Sequence, residues 1–284
     1  MKSLLLAMAV AGGAVLAVQP PIEQALTAMG PEPDAHSVWT GPVVRSLSVG
    51  FSDVLADLYW LRAVQCYGRQ KIDGTYGSFA DLEPLLQTAA ALDPRFEMVY
   101  RYGAVFLSEP TPVGAGKPKA GVALLKQGAD ANPLNWRLRQ EEGLFTFFYL
   151  NDPLGAAEIL KSASLIPDAP FWMNSLAAQI LSNGGEIEAA LQMWTILYER
   201  SEPGLLRDNA ASQVRVAQNR LLAKRLQEKV KAYREKSGDQ TSSLERLKEL
   251  GVIETFVDLV GVPFEFDAAQ GVVRVSRESS LWRR

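Results

Sequence analysis

Residues 136–167 read WRLRQEEGLFTFFYLNDPLGAAEILKSASLIP, from Trp136 to Pro167. Two amphipathic helical patterns flank the turn signal Asn151-Asp-Pro153, and Pro167 closes the second pattern. A helix pair of this length buries only one of its sides by itself. The pair therefore needs neighbours before and after it in the chain, which predicts a helical protein built from several such pairs.

A proline closes each of four apolar helical runs: Pro94, Pro133, Pro167 and Pro203. The separations between these prolines are 39, 34 and 36 residues. In three of the units a small residue stands where two helices must approach closely: Gly103, Gly143 and Ala178. The spacing predicts a repeated helix–turn–helix unit with a period near 34 residues.

The second helix of each unit carries three apolar or small residues at spacings of four and three, which place each trio on one helix face. These trios are Leu82/Leu86/Ala89, Gly121/Leu125/Gly128, Ala156/Leu160/Ala163 and Ala190/Trp194/Leu197. We expect the small members to admit the next helix and the large member to fill the gap between helices.

With these residues, the chain resembles the tetratricopeptide repeat family over residues 52–203, although no unit carries the family's full Trp-Leu-Gly-Tyr set. The resemblance implies an all-α, TPR-like α-solenoid with a long capping helix and a small C-terminal α+β appendix. The alternative is an irregular helical bundle in which the proline spacing arises by chance.

The segmentation is predicted as follows: 1–18 a signal peptide or signal anchor, 19–50 a Pro/Gly-rich spacer, 51–203 the repeats, 204–236 a long basic capping helix, and 237–284 the appendix. Lys2 followed by the uncharged run Leu4–Val18 is typical of an export signal, with cleavage expected after Ala17. We therefore expect an exported protein, periplasmic or attached to the cytoplasmic membrane. A buried N-terminal helix is the alternative.

The C-terminal third begins with a long helical pattern, Leu205–Lys236, whose second part carries eight Lys or Arg residues against two Glu. Its predicted basic surface consists of Arg220, Lys224, Arg225, Lys229 and Lys231. Such a run is either a solvated helix face or a docking site for an anionic lipid surface or acidic partner.

The appendix is predicted to open with the capping box Ser242–Glu245 and the helix Leu244–Leu250. A second short helix over Ile253–Val260 and a β-hairpin that pairs Val262–Phe266 with Val272–Val275 are expected to follow.

Composition argues against an enzyme. The chain has one histidine, His36, and one cysteine, Cys66, so neither a metal-ligand cluster nor a His-based nucleophilic site is expected. No nucleotide motif is present, and we expect no catalytic residue and no cofactor. The net charge of −3 gives no overall attraction to nucleic acid.

Tetratricopeptide arrays bind peptides or protein segments in a groove lined by their first helices, so the resemblance implies groove residues here. These are Trp60, Glu97, Tyr100, Arg101, Arg137, Gln140, Leu144, Trp172 and Gln179. The expected function is a non-catalytic scaffold in a bacterial-type envelope that binds a protein partner in this groove. The alternatives are a membrane-associated accessory subunit that acts through its N-terminal segment and basic helix, and an enzyme whose site leaves no motif.

Overall fold

A computed structural model of the chain describes residues 41–72, 79–238 and 243–282. These residues form eleven α-helices and one two-stranded sheet near the C-terminus. The chain divides into two compact units whose boundary falls between Leu92 and Asp93, inside the range predicted for the repeats. The predicted export signal and His36 lie outside the described residues.

The first unit contains α1 (Gly41–Leu47), α2 (Ser52–Ile72) and α3 (Leu82–Leu92), and α3 packs against both of the others. The predicted trio on α3 is fully buried, as expected. α1 lies within residues 19–50, the range predicted as a spacer, and α2 ends at Ile72. The absence of a side chain at Gly41 lets α1 approach α3, and Arg45 Nη1 then donates to the Ala91 carbonyl at 3.0 Å.

The second unit begins with seven helices: α4 (Glu97–Ser108), α5 (Pro118–Ala131), α6 (Trp136–Leu150), α7 (Pro153–Ala163), α8 (Met173–Asn183), α9 (Ile187–Arg200) and α10 (Leu205–Ser237). Each helix packs against the next one in the chain, and α4 also contacts α6. This order of contacts is what a chain of successive helix pairs produces.

The predicted close approaches between helices occur at three of the glycines. A side chain at Gly121 of α5 would collide with Ser108 and the Ala104 carbonyl on α4. A side chain at Gly128 of α5 would collide with the ring of Tyr100 on α4. A Cβ at Gly143 of α6 would lie 2.9 Å from Leu160 Cγ on α7. Small residues at these positions therefore let the helix axes come together, as the sequence predicts.

Local capping explains the turn between α6 and α7. Asn151 ends α6 in the left-handed region (φ 53°), which asparagine tolerates better than most residues. The Asp152 carboxylate then accepts a hydrogen bond from the Gly155 amide at 2.8 Å, which caps α7. Pro153 occupies the first turn of α7, where its missing N–H costs nothing.

The long helix α10 joins two hydrophobic clusters. Its first part contributes Ala210 to the cluster formed by α7, α8 and α9. Its second part contributes Ala223, Leu226 and Val230 to a cluster with the C-terminal appendix. The apolar side of this second part therefore covers the appendix.

The appendix contains α11 (Leu244–Glu249) and an antiparallel pair, β1 (Glu265–Asp267) and β2 (Val272–Arg274). The hairpin is confirmed, with Phe266 opposite Val273. The cap of α11 is Ser243, whose hydroxyl accepts from the Arg246 amide, and not the predicted Ser242.

The expected helix over Ile253–Val260 is absent. The Asp258 carboxylate instead accepts hydrogen bonds from the amides of Val260 and Val262, at 2.9 and 2.8 Å. These bonds fold the chain into a turn, and Val257 then pairs with Pro263. An aspartate that binds amides two and four residues ahead competes with the helix, which is why the helical pattern was misleading.

Candidate functional site

A cleft of about 580 Å³ opens in the second unit at the starts of α4 and α6. We call it the aromatic cleft, and its lining includes Arg95, Glu97, Asn132, Leu134, Asn135, Trp136, Arg137, Pro167 and Asp168. Two of the predicted groove residues, Glu97 and Arg137, line it. The cleft therefore gathers residues of two successive helix pairs and of the loop that follows the second pair.

Backbone interactions fix the position of the two central side chains. The Asn132 side chain donates to the carbonyls of Pro94 and Gly128, each at 2.9 Å, which ties the α5–α6 loop to the start of α4. Asn135 then caps α6 by accepting from the Arg137 amide at 3.2 Å. Trp136 and Arg137 are thus the first two residues of a capped helix, at the cleft wall.

Trp136 is the centre of an aromatic arrangement. Its ring meets Trp172, which precedes α8, edge to face, with ring centroids 6.5 Å apart and an interplanar angle of 88°. The Arg137 guanidinium lies over the Trp136 ring, 4.5 Å from its centroid. Stacked Trp and Arg side chains lose little entropy on binding and present both apolar and charged surface.

Exposed apolar surface extends this arrangement. Trp172 is 39% exposed, Leu134 is 74% exposed and Phe171 is 76% exposed. The charges around the cleft are balanced, since Arg95 and Arg137 stand with Glu97 and Asp168. Aromatic anchors surrounded by mixed charges are typical of protein-binding surfaces, whereas an anion site needs a surplus of cations.

Three predicted groove residues lie on the helices themselves. Arg101 of α4 binds Glu141 of α6, with Nε and Nη2 at 2.7 and 2.6 Å from Oε1. This hydrogen bond raises the pKa of Arg101 above its ordinary value, and it holds the guanidinium between the two helices. Leu144 packs against the hydrophobic cluster of α7–α9, and Gln140 is half-buried.

The expectation that Tyr100 faces a groove is wrong. Tyr100 is fully buried, its ring fills the space beside Gly128, and its hydroxyl donates to the Pro94 carbonyl at 3.1 Å. Burial, with a smaller effect of Asp93, raises the pKa of Tyr100 to about 12. Tyr100 therefore stabilises the α4–α5 pair instead of binding a partner.

Two further predicted groove residues, Trp60 and Gln179, are not part of the cleft lining. Gln179 of α8 lines a separate cavity of about 230 Å³ together with Gln213 and Arg220 of α10. Trp60 is half-buried on α2 in the first unit.

Acidic residues partly neutralise the predicted basic surface on α10. Lys224 binds Glu188 of α9 at 2.9 Å, and Arg220 donates to the Ser182 carbonyl at 3.3 Å. Lys229 and Lys231 form looser pairs with Glu254 and Glu235, each at 3.9 Å. Arg225 is exposed and contributes to lowering the pKa of Glu188, after the larger effect of the Lys224 hydrogen bond.

Sequence reasoning missed Trp136 as a site residue, along with the loop residues Asn132, Leu134 and Asn135. An available signal was the Asn-Pro-Leu-Asn run before Trp136, because an N-cap asparagine fixes the start of a helix. The adjacent carboxylates Glu141 and Glu142 bind different partners, Arg101 and Arg139. Glu142 is buried and binds Arg139, which also bridges to Asp130 at 2.6 Å.

Within the described residues, no group of three or more His, Cys, Asp or Glu side chains is arranged to hold a metal ion. Cys66 is half-buried on α2. None of the helices in the described ranges is long and apolar enough to span a bilayer.

No protein-family model matches the chain, and a comparison with curated proteins finds no significant similarity. Function must therefore be argued from the geometry of the molecule.

Proposed function

We propose that this protein is a non-catalytic interaction scaffold whose second unit binds a segment of a partner protein at the aromatic cleft. The observation that carries the proposal is the edge-to-face pair of Trp136 and Trp172 with Arg137 stacked on Trp136. Tryptophan and arginine are the residues most enriched among those that dominate binding energy at protein interfaces. Here three of them stand together beside a cleft large enough for several side chains.

We further propose that the helices form a TPR-like α-solenoid of about four units. Three features support it: the proline period, the packing of each helix of the second unit on the next, and the close approaches at Gly128 and Gly143. In such an array the starts of successive first helices lie side by side. A cleft that joins the starts of α4 and α6 is then an expected place for a bound segment.

The lining of the cleft indicates the chemistry of the bound segment. An aromatic or aliphatic anchor would pack against Trp172 and Leu134, and flanking residues of both charges would meet Arg95, Glu97 and Arg137. Arg101 contributes little to such a contact, because Glu141 already occupies its guanidinium.

The proposed place of action is the cell envelope, reached through the export signal in residues 1–18. N-terminal sequencing of the mature protein tests this placement, since cleavage after Ala17 would leave Val18 as the first residue.

The accessory function through the basic helix is the second possibility, and salt-sensitive flotation with anionic liposomes would favour it. The ion pair of Lys224 with Glu188 argues against it, because Glu188 offsets part of the positive charge that the sequence suggests.

Crosslinking in cells followed by affinity capture and mass spectrometry tests the scaffold proposal. Trp172→Ala and Arg137→Glu should each reduce the recovered partner, since loss of an interface hot spot costs about 2 kcal/mol or more, roughly 30-fold in affinity. Arg246→Glu on α11 is a matched charge-reversal control outside the cleft. Equal recovery with all variants would contradict the proposal, as would turnover on a broad panel of hydrolase substrates.

A further inference from the structure

A cavity of about 230 Å³ is lined by residues of α8, α9 and α10, and these residues differ from those of the aromatic cleft. We call it the α10 cavity, because half of its lining belongs to that helix: Gln213, Val216, Ala217 and Arg220. Spacings of three, one and three residues put these four on one side of the helix. The helix therefore provides a wall with a polar residue at each end and apolar residues between them.

Gln213 is the first polar end of this wall, and its side chain lacks a protein partner. The residue is only 9% exposed and lines the cavity. Within the part of the chain that the structure describes, its side-chain amide forms no hydrogen bond. Buried amides are almost always hydrogen-bonded, because an unsatisfied polar group is unfavourable away from water. A ligand in the cavity that bonds to Gln213 would therefore gain affinity from this contact.

Arg220 is the second polar end, and it brings the only formal charge among the described residues that line the cavity. Its Nη1 donates to the Ser182 carbonyl of α8 at 3.3 Å, which holds the guanidinium at the cavity wall. Ser182 is itself fixed, because its hydroxyl accepts from Trp194 Nε1 at 3.2 Å and donates to the Ala178 carbonyl at 3.0 Å. A lining with one cation favours a ligand with one negative charge.

The size and the walls of the cavity favour a small, partly apolar molecule. An apolar cavity of about 150 Å³ is large enough for benzene. The α10 cavity therefore has room for a six-membered ring with two small substituents, and Ile187 and Ala190 of α9 add apolar surface to its lining. Gln213 and Arg220 are seven residues apart, a rise of about 10 Å along the helix. Polar groups at opposite ends of one small molecule can reach both side chains.

From this geometry we propose that the α10 cavity binds a small organic monocarboxylate. The carboxylate bonds to the Arg220 guanidinium, and a hydroxyl group at the far end of the molecule bonds to the Gln213 side-chain amide. The apolar body packs between α9 and α10, as is usual for small-molecule sites between helices. The proposal does not depend on the aromatic cleft, and it gives the protein a ligand site separate from its partner surface.

The first test uses the wild-type protein and three related probes, 4-hydroxybenzoate, its neutral amide 4-hydroxybenzamide, and benzoate, which lacks the hydroxyl group. Titration followed by ligand-observed NMR gives the Kd of each probe. 4-Hydroxybenzoate should bind most tightly, the amide about tenfold more weakly and benzoate about threefold more weakly, because each lacks one hydrogen-bonding group. Equal affinity of 4-hydroxybenzoate and its amide, or no saturable binding of 4-hydroxybenzoate, would overturn the proposal.

Variants of the full-length protein locate the binding. Arg220→Gln should abolish the preference for 4-hydroxybenzoate over its amide, and Gln213→Met should abolish the preference for 4-hydroxybenzoate over benzoate. Arg225→Gln, an exposed arginine on the same helix but outside the cavity, should keep both preferences. Because each readout is a ratio between two probes, a small loss of stability does not imitate it. Preferences that persist in both cavity variants would overturn the assignment. So would loss of binding in Trp172→Ala, which would move the probe to the aromatic cleft.

Discussion

At the level of single residues, Tyr100 and Gly128 show how sequence spacing becomes helix packing. The tyrosine ring takes the space that a side chain at position 128 would fill, and its hydroxyl is satisfied by the Pro94 carbonyl. A polar aromatic residue can be fully buried because both its ring and its hydroxyl have partners. The glycine is therefore required for the close approach of α4 and α5.

Gly128→Val should lower the free energy of unfolding by about 1–3 kcal/mol, because the added methyl groups overpack a filled contact. Ala123→Val on the exposed side of the same helix introduces a valine with no such clash and should cost less than about 1 kcal/mol. Urea denaturation of both variants measures the difference. Equal losses of stability would show that the α4–α5 contact is not tight.

The raised pKa of Tyr100 makes part of the stability depend on alkaline pH. The folded pKa is about 12, above the ordinary tyrosine value of about 10, so the stabilisation is complete below pH ~10. As pH rises from about 10 toward 12, the unfolded state ionises first and that stabilisation is lost. Denaturation at several pH values should show that the difference in free energy of unfolding between wild type and Tyr100→Phe shrinks over this range. A constant difference would contradict the assignment.

At the level of elements, Asp258 organises the turn that replaces the expected helix. Desolvation acts to raise its pKa, but hydrogen bonds from Ser279, Val262 and Val260 outweigh it and hold the pKa below the ordinary value. The Asn219 side chain on α10 accepts from the Leu259 amide within the same turn, at 3.3 Å. One carboxylate thus joins the turn to the C-terminal segment, and the turn also binds the long helix.

Because the folded pKa of Asp258 is lowered, its stabilisation is present above the ordinary value near 4 and is lost as pH falls through the folded pKa. Asp258→Asn should therefore speed hydrogen exchange at the Val260 and Val262 amides at neutral pH. The difference from wild type should shrink on acidification. Glu278→Gln, an exposed neighbour, should leave this exchange unchanged. Identical exchange in wild type and Asp258→Asn would refute the role of this carboxylate.

Most elements could be predicted from the sequence where a local signal was strong. The start of α10 and the hairpin follow from periodicity and turn residues. The helix α1 was not predicted, because the glycines and prolines of this range indicate a spacer. Its seven residues are stabilised by packing on α3. The helix over Ile253–Val260 was wrong because a side-chain carboxylate captured the backbone amides that a helix needs.

At the level of the whole molecule, the site was predicted only in part, because sequence offsets do not determine the rotation of each helix. The resemblance that selected Glu97 and Arg137, which line the cleft, also selected the buried Tyr100. Trp136 was missed although it directly precedes the selected Arg137, and the capped start of α6 places it at the cleft. Burial and helix capping determine which side chains line the cleft, and both depend on neighbouring helices.

The measurement that tests the aromatic cleft most directly is site-specific photocrosslinking in cells. A photoreactive phenylalanine analogue at position 134, which is 74% exposed at the cleft, should crosslink to the partner that affinity capture recovers. The same analogue at position 205, which is 90% exposed but outside the cleft, should not. The account predicts a crosslink from position 134 that Trp172→Ala abolishes. A crosslink from position 205 alone, or one from position 134 that survives Trp172→Ala, would contradict it.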